Sequence, residues 1–457
     1  MKESSAEKMG KMPVNKLMLK MSLPMVISMM LQAAYNIVDS AFVANMKHSG
    51  ELALNALTLC FPVQMLMVAI GIGTGVGVNV LCAKHLGEGE EKRAAEAAGN
   101  GIFLGVVITA VFMFFGLFGT KYYLMSQTKN KIIFSMANDY LKICCLGSFG
   151  IIMFSVFEKL LQSSGRSGLS TAAQISGAAT NIILDPIFIY GLFGMPELGV
   201  SGAAYATVAG QIISFLCAFL FHITKNKAIK FSFKFLKPSA QTIGRIYSIG
   251  LPAIIAQALM SVMTYGINII YGMLGENVVT AYGLYYKVQQ FILFAAFGIR
   301  DAITPIVSFN YGLGDEKRVG EGIKYGILYT SAVMILGTVF LEVFAESMSG
   351  VFGLSGETEK LCIAAMRIIS LSFLFAGFNV AAQGIFQALD SGIYSLVISL
   401  LRQCVLVLPA AYVLSVFAVS DIKYVNAVWF AFIFAEVLSA LISFKFLFNI
   451  NKNKILN

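Results

Sequence analysis

Long apolar runs, separated by short polar breaks, occur along almost the whole chain of 457 residues. A helix needs about 20 mostly apolar residues to cross a bilayer, where backbone groups must bond within a helix or a closed barrel. Runs of this length favour helices over barrel strands. The pattern predicts twelve membrane-spanning helices, at 17–43, 53–82, 94–119, 132–161, 168–192, 200–222, 245–273, 279–308, 320–345, 358–387, 392–417 and 425–448.

The composition agrees with a lipid-embedded chain. Hydrophobic residues make up 58% of it and charged residues only 12%, with a mean hydropathy of +0.78. A soluble globular protein carries roughly 25% charged residues, so a soluble enzyme is excluded. The net charge of +9 comes from basic residues that flank the apolar runs. We therefore expect these basic residues to contact the lipid bilayer and not nucleic acid.

Lysine and arginine collect in alternate loops. The richest clusters precede the first span and fill the segment 223–241, and an even number of spans puts both on one side. Because positive loops stay in the cytoplasm, we expect a multi-pass protein of the cell membrane with both termini cytoplasmic.

The chain also contains an internal repeat. The loop Gly87–Arg93 recurs as Gly312–Arg318, with glycines and charges in matching positions 225 residues later. The repeat predicts two six-helix lobes, 1–222 and 242–457, joined by the basic cytoplasmic linker 223–241. Two such lobes around a central cleft are typical of a carrier, because their rocking exposes the cleft alternately to each side.

Two spans of the first half carry polar faces that include an acid. On the first span, helical spacing places four polar side chains on one face, namely Gln32, Tyr35, Asn36 and Asp39. On the fifth span, the same spacing places three polar side chains on one face, namely Gln174, Asn181 and Asp185. An acid inside a membrane is costly and indicates function. We interpret these faces as a site for a proton, a metal ion or a cationic substrate.

The second half lacks both acids. Asp39 corresponds to Ile267, and Asp185 to Leu408. A coupling-ion site is therefore expected in the first lobe only. The seventh span keeps a milder polar face, which we assign to the substrate cleft: Gln257, Ser261, Thr264 and Asn268.

The second half has charges of its own. Arg300 and Asp301 stand where the first half has small residues, and adjacent positions do not share a helical face. Each is expected to find a partner elsewhere or to face a watery cleft, with substrate selection and lobe stabilisation both open. Glu436 is a candidate for a further titratable group, whereas Arg367 and Arg402 are expected to snorkel or to cap carbonyls.

These motifs together make the chain resemble the multidrug and toxic compound extrusion (MATE) family over nearly its whole length. The resemblance rests on Leu23-Pro24 and Asn36–Asp39, Gly71–Gly75, Gly87–Gly89, Asn181–Pro186, Gly202–Thr207, Pro305 and Asn310–Gly312.

The resemblance implies twelve helices in two lobes and export of organic cations and other toxic compounds. Export would be driven by an inward H⁺ or Na⁺ gradient, without ATP, a cofactor or enzymatic catalysis. It places a cation site, for H⁺ or Na⁺, at Asp39, Asn181, Asp185 and Thr207, and a hinge at Pro24. Other members carry acids in spans seven and ten, but here span seven has Gln257 and span ten has none at its centre. We expect a monomer.

Three other hypotheses compete with export. A lipid-linked oligosaccharide flippase would need a cationic cleft, for which Lys287, Arg300 and Arg367 are the available residues. An intramembrane enzyme would need a motif such as HExxH or GxSxG, and the sequence has neither. A channel is disfavoured by the duplicated lobes.

Overall fold

The computed structural model describes residues 5–46, 50–351 and 356–450. Helices account for nearly all of these residues, and the described ranges contain no strand. The α-helices are α1 (Ser5–Lys11), α2 (Val14–Ala44), α3 (Gly50–Gly87), α4 (Glu91–Phe118), α5 (Thr120–Gln127), α6 (Lys131–Leu146), α7 (Phe149–Ser163), α8 (Ser167–Tyr190), α9 (Val200–Lys225), α10 (Ala240–Gly272), α11 (Glu276–Leu313), α12 (Glu316–Val351), α13 (Gly356–Ser370), α14 (Phe373–Ala388), α15 (Gly392–Leu400), α16 (Val407–Ser420) and α17 (Phe430–Ile450).

The helices confirm the all-α membrane architecture. Within the described ranges, ten helical segments are long and apolar enough to cross a bilayer, and there are up to twelve if each bent pair counts as one span. The bent pairs are α6 with α7, at 44°, and α13 with α14, at 53°. The fourth and tenth predicted spans are therefore bent.

Both bends fall at matching places in the repeat. The first lies at Gly147 and Ser148, and the second at Leu371 and Ser372. A Cβ atom at Gly147 would come within 2.4 Å of the Val208 side chain, so the backbone approaches α9 too closely for a larger residue. The fourth span of each half thus bends at an equivalent position.

The chain forms two compact units. The first unit comprises α1 with Ile27–Ile254, and the second comprises Met12–Val26 with the chain from Ile255 onward. The chain therefore passes between units inside α2 and inside α10, in each case two residues after a proline, Pro24 or Pro252. The lobe boundaries at 222 and 242 stay a prediction.

Glycines bring α3 close to α7 in the first unit. A Cβ at Gly71 would lie 3.1 Å from Ser155 Oγ, and one at Gly75 would lie 2.8 Å from Lys159 Cγ. Small residues at helix contacts are the usual means of close approach in a membrane, where apolar burial does not drive association. The glycine motif of the second span thus positions the polar residues of α7.

Aromatic side chains fill the core of the second unit. The rings of Tyr271 and Tyr282 stand edge to face with centroids 5.6 Å apart, and Trp429 lies 5.2 Å from Tyr271. Tyr271 also donates a hydrogen bond from its hydroxyl to the carbonyl oxygen of Val428 at 3.0 Å. Edge-to-face pairs add to the stability gained by burial. This packing anchors the 3₁₀ segment Ile422–Trp429 to α10.

Candidate functional site

The first unit contains a cavity between α2, α3, α7, α8 and α9. Its empty volume is about 710 Å³, including the space at its mouth. The structure brings five of the residues predicted from sequence to its wall: Gln32, Tyr35, Gln174, Asn181 and Thr207.

The two predicted acids interact with each other in the first unit, but neither is among the residues that line the cavity. Asp185 is fully buried on α8, and its Oδ1 accepts a hydrogen bond of 3.2 Å from Nδ2 of Asn181, one turn earlier. Asp39 on α2 is near enough for its charge to interact with that of Asp185. Asn181 therefore links the cavity wall to Asp185.

Several oxygen atoms of this group lack a hydrogen-bond donor among the described residues. They are Oδ1 of Asp39, Oδ1 of Asn181 and Oδ2 of Asp185, all of them buried. A buried polar atom without a partner is costly. Because carboxylate and amide oxygens are hard ligands, this set fits a hard cation or a proton. Thr207 contributes a hydroxyl on the same wall.

Two tyrosines that the sequence interpretation did not single out interact with the acids, Tyr190 with Asp185 and Tyr140 with Asp39. Tyr190 donates from its hydroxyl to the carbonyl oxygen of Phe42 at 2.7 Å, which ties the end of α8 to α2. Tyr140 accepts a hydrogen bond of 3.1 Å from Gln64 and lies within electrostatic range of Asp39. Tyrosine is common in apolar helices, so these positions carried no distinguishing signal.

The sequence interpretation also overlooked Glu158 and Lys159, which line the cavity from α7. Both are buried, with 9% and 2% of their surface exposed. Two adjacent charges inside the apolar run of the fourth span were the available signal, because charged residues within a span indicate function by default.

Other predicted cleft residues lie outside this cavity wall. The side chain of Asn36 is outside the described residues. Gln257, Ser261, Thr264 and Asn268 belong to the part of α10 in the second unit, where Ser261 and Asn268 are exposed. Thr264 donates to the carbonyl oxygen of Met260 at 3.0 Å. The role of these four in a cleft stays a prediction.

The expectation that Arg300 and Asp301 do not pair with each other, so that each finds a partner elsewhere or faces a watery cleft, is corrected. Arg300 donates to Oδ1 of Asp301 from Nη2 at 3.1 Å and from Nε at 3.3 Å. Its guanidinium also lies 4.7 Å from the ring centre of Phe297. The long arginine side chain turns back along the helix, so neighbours on different faces still meet. Both are largely buried, at 16% and 5% side-chain exposure.

The expected role of Arg402 is also corrected, because its side chain is buried against a carboxylate. Arg402 pairs with Glu436, through Nη2 to Oε1 at 2.6 Å and Nε to Oε2 at 2.8 Å. Asn379 donates a further hydrogen bond of 2.8 Å to Glu436. Arg402 lies in a π-helical turn, Leu401–Val405, a feature that α8 of the first unit lacks. Arg367 forms an exposed pair with Glu346 at 3.0 Å.

Comparisons with known proteins identify the class of this fold. The MatE family model matches residues 24–187 and 252–413, and the chain therefore belongs to the MatE family, as the sequence motifs predicted. It is a membrane transporter family of multidrug and toxic compound extrusion proteins.

Individual relatives cover nearly the whole chain. The chain is 22% identical over 416 residues to multidrug export protein MepA of Staphylococcus aureus RF122, covering 91% of this chain and 90% of MepA. It is 24% identical over 400 residues to MepA of Staphylococcus haemolyticus, covering 88% and 87%. A solved multidrug resistance MATE family transporter in the outward-facing conformation matches with a TM-score of 0.90, 23% identity and 98% coverage of each chain.

Proposed function

We propose that the protein is a secondary active multidrug exporter that exchanges H⁺ or Na⁺ for organic cations and other toxic compounds. The observation that carries this proposal is the acid pair Asp39 and Asp185 of the first unit, each with a buried oxygen atom that lacks a donor among the described residues. Asn181, which lines the cavity, donates a hydrogen bond to Asp185. The export activity named for the MepA relatives supports the substrate class.

The exchange follows from linkage between two ligands. If a substrate and a coupling ion each favour a different state of the first unit, each lowers the affinity for the other by the same factor. A proton or Na⁺ neutralises a carboxylate of the Asp39 and Asp185 pair. Because the two acids repel each other, a bound cation stabilises a state that an empty site does not favour. An inward ion gradient then drives the substrate outward.

We also propose a location and an orientation. The apolar helices place the protein in a membrane, and the basic clusters before the first span and in 223–241 support cytoplasmic termini in the cell membrane.

The flippase hypothesis has less support than the export hypothesis. A pyrophosphate head group would require cations whose charge is not already balanced. Arg300 pairs with Asp301, and Arg367 pairs with Glu346, so two of the three cations considered are balanced by acids. Lys287 is exposed on α11.

The test is efflux from proteoliposomes that contain the purified full-length protein. Export of ethidium, a permanent monocation, is measured with an inward pH gradient alone, an inward Na⁺ gradient alone, and neither. We expect export with at least one gradient and none without. Export that ignores both gradients, or that is also seen in protein-free liposomes, would contradict ion-coupled exchange.

A matched variant separates coupling from folding. Lys121 is exposed on α5, away from the cavity, so Lys121→Gln should export at the normal rate. A loss of export in this variant would show that reconstitution, and not the site, limits the measured rate.

A further inference from the structure

The turn between α3 and α4 brings a histidine and two acids together. Nδ1 of His85 lies 2.7 Å from Oε2 of Glu88 and 3.6 Å from Oε2 of Glu90. The ligand atoms of these three residues all lie within 4.8 Å of one another. His85 is buried, with 7% of its surface exposed, whereas the two glutamate side chains are partly exposed. The cluster therefore has a fixed imidazole and two carboxylates that solvent can reach.

A glycine in the left-handed region produces this arrangement. Gly89 has a φ of +76°, and the amide of Glu90 donates to the carbonyl oxygen of His85 at 2.8 Å. Such a bond, closed by a left-handed glycine, is a common way for a helix to end. The chain therefore turns back over the last turn of α3 and carries both glutamates to His85.

The equivalent turn of the second half binds a cationic group. The repeat distance of 225 residues gives three matching pairs, namely His85 with Asn310, Glu90 with Asp315, and Arg93 with Arg318. The backbone is the same, because Gly314 has a φ of +73° and the amide of Asp315 donates to the carbonyl oxygen of Asn310 at 3.1 Å. Nε of Arg318 donates to Oδ1 of Asn310 at 2.8 Å. A guanidinium thus binds directly to the residue that matches His85.

In the first half the matching arginine points elsewhere. Arg93 donates from Nη1 to Oε2 of Glu90 at 2.8 Å, and its side chain is 62% exposed. A second acid, Glu88, stands where the second half has Leu313. The first turn therefore presents an imidazole and two carboxylates where the second turn binds a guanidinium.

The spacing of the ligand atoms suits a transition-metal ion. Zn²⁺ binds imidazole nitrogen and carboxylate oxygen at about 2.0–2.1 Å, so two ligand atoms of a tetrahedral ion are about 3.3 Å apart. The two distances from Nδ1 of His85, 2.7 Å and 3.6 Å, lie on either side of this value. Three protein ligands and a water complete a tetrahedral coordination. Small movements of the two glutamates would therefore place all three ligand atoms around one ion.

We propose that His85, Glu88 and Glu90 form a binding site for a divalent transition-metal ion of the Zn²⁺ type. The imidazole selects against Mg²⁺ and Ca²⁺, which prefer oxygen ligands. Because Glu90 directly precedes α4, the bound ion fastens the end of α3 to the start of α4. The three residues are not among those that line the cavity of the first unit, so the site is independent of the proposed export function.

Co²⁺ serves as the probe because it accepts the ligands of Zn²⁺ and its visible absorption reports the coordination geometry. The full-length protein is purified in detergent with a tag that contains no histidine. Titration with Co²⁺ gives the dissociation constant. We expect one bound Co²⁺ with tetrahedral absorption. Zn²⁺ should displace it, and an equal concentration of Mg²⁺ should not.

The second half of the chain supplies variants that should keep the turn folded. His85→Asn and Glu88→Leu introduce the residue types found at the matching positions, Asn310 and Leu313. His85→Asn should weaken Co²⁺ binding about a hundredfold, because an amide is a poorer ligand for this ion than an imidazole. Glu88→Leu should weaken it about tenfold, because it removes one carboxylate. Glu91→Gln removes a neighbouring exposed acid and should leave the dissociation constant unchanged.

Thermal unfolding in detergent gives a second measurement. An ion that binds the folded protein raises the unfolding temperature as its concentration rises. Zn²⁺ should therefore stabilise the wild-type protein and Glu91→Gln. It should leave the unfolding temperature of the double variant, His85→Asn with Glu88→Leu, unchanged.

The outcomes decide between a metal site and an exposed acidic surface. Equal Co²⁺ binding by the wild-type protein and His85→Asn, or displacement of Co²⁺ by an equal concentration of Mg²⁺, would overturn the site. Weaker binding in His85→Asn with unchanged binding in Glu91→Gln would support it. If His85→Asn fails to fold, the comparison of Glu88→Leu with Glu91→Gln gives the same decision. Ethidium export by metal-free protein tests the proposed function separately, so either proposal can fail without the other.

Discussion

The two halves of the chain bury a cation at the same helix contact but carry it on opposite helices. In the first unit Lys159 on α7 lies over Gly75 of α3. In the second unit Arg300 on α11 lies over Gly384 of α14, where a Cβ would come 2.8 Å from Arg300 Cγ. The repeat distance of 225 residues aligns Gly75 with Arg300 and Lys159 with Gly384.

The swapped positions of glycine and cation show which feature of this helix contact is required and which can vary. A long cationic side chain between the second and fourth spans of a half needs a glycine opposite, because no larger residue leaves room for its stem. Which helix supplies the cation is interchangeable. The surroundings then differ: Lys159 lines a cavity with Glu158, whereas Arg300 bonds to Asp301 on its own helix.

The halves also differ in how they balance buried acids. Asp39 and Asp185 of the first unit have oxygen atoms without donors among the described residues, whereas Glu436 of the second is held by Arg402 and Asn379. A satisfied acid has little to gain from a proton, and an unsatisfied one has much. Coupling should therefore reside in the first unit.

The largest expected effect follows from removing an acid of the first unit. Asp185→Asn keeps the shape of the side chain but removes the charge that a coupling ion neutralises. We expect gradient-driven ethidium export to fall to that of protein-free liposomes, and Asp39→Asn to do the same. Thermal unfolding in detergent serves as the control and should show a folded protein. Normal export by either variant at equal reconstitution would remove that acid from the site.

The second prediction concerns the ion pair of the second unit. Arg402→Met leaves Glu436 as an unpaired buried charge, so the free energy of unfolding should fall by about 3–5 kcal/mol. Replacing both residues by methionine should restore most of this loss. Denaturation in detergent measures both effects. An Arg402→Met protein of normal stability that no longer couples export to a gradient would instead make Glu436 a coupling group.

The third prediction concerns Arg300, which is less deeply buried than Arg402. Arg300→Gln should lower the free energy of unfolding by about 3 kcal/mol, near the lower end for a buried pair. Export of monocationic and neutral dyes should decline in the same proportion. The ratio of their rates is the decisive measurement, because a change in that ratio would favour a role in substrate selection over a stabilising one.

The smallest expected effect is on the rate of transport. It concerns Pro24 and Pro252, which lie two residues before the points where the chain passes from one unit to the other. Pro24→Ala restores a backbone donor and stiffens α2, and Pro252→Ala does the same in α10. Each should slow turnover a few-fold without a change in the dissociation constant for ethidium. Stopped-flow efflux and equilibrium binding measure the two quantities separately. A slower rate in only one variant would show that the two helices do not act equivalently.

Much of the architecture could be predicted from the sequence. The apolar runs predicted the membrane helices, and the motifs around Asp39 and Asp185 predicted the family. These features are local: the length needed to cross a bilayer and the cost of a charge within it depend on a short stretch of chain. The bend of the fourth span was not predicted, because a continuous apolar run does not reveal it; at the bend Gly147 packs too closely against α9 for a larger residue.

Tertiary structure alone decided how the charges pair. Arg402 and Glu436 are 34 residues apart and meet only because α17 packs against the π-helical turn. Arg300 and Asp301 are neighbours, yet their bond depends on a side-chain rotamer that spacing along a helix does not reveal. The cavity that gathers Asn181, Thr207 and Glu158 is likewise formed by segments distant in sequence. Packing among distant segments, and not hydropathy, thus determines which buried charges are balanced within the fold and which line a cavity.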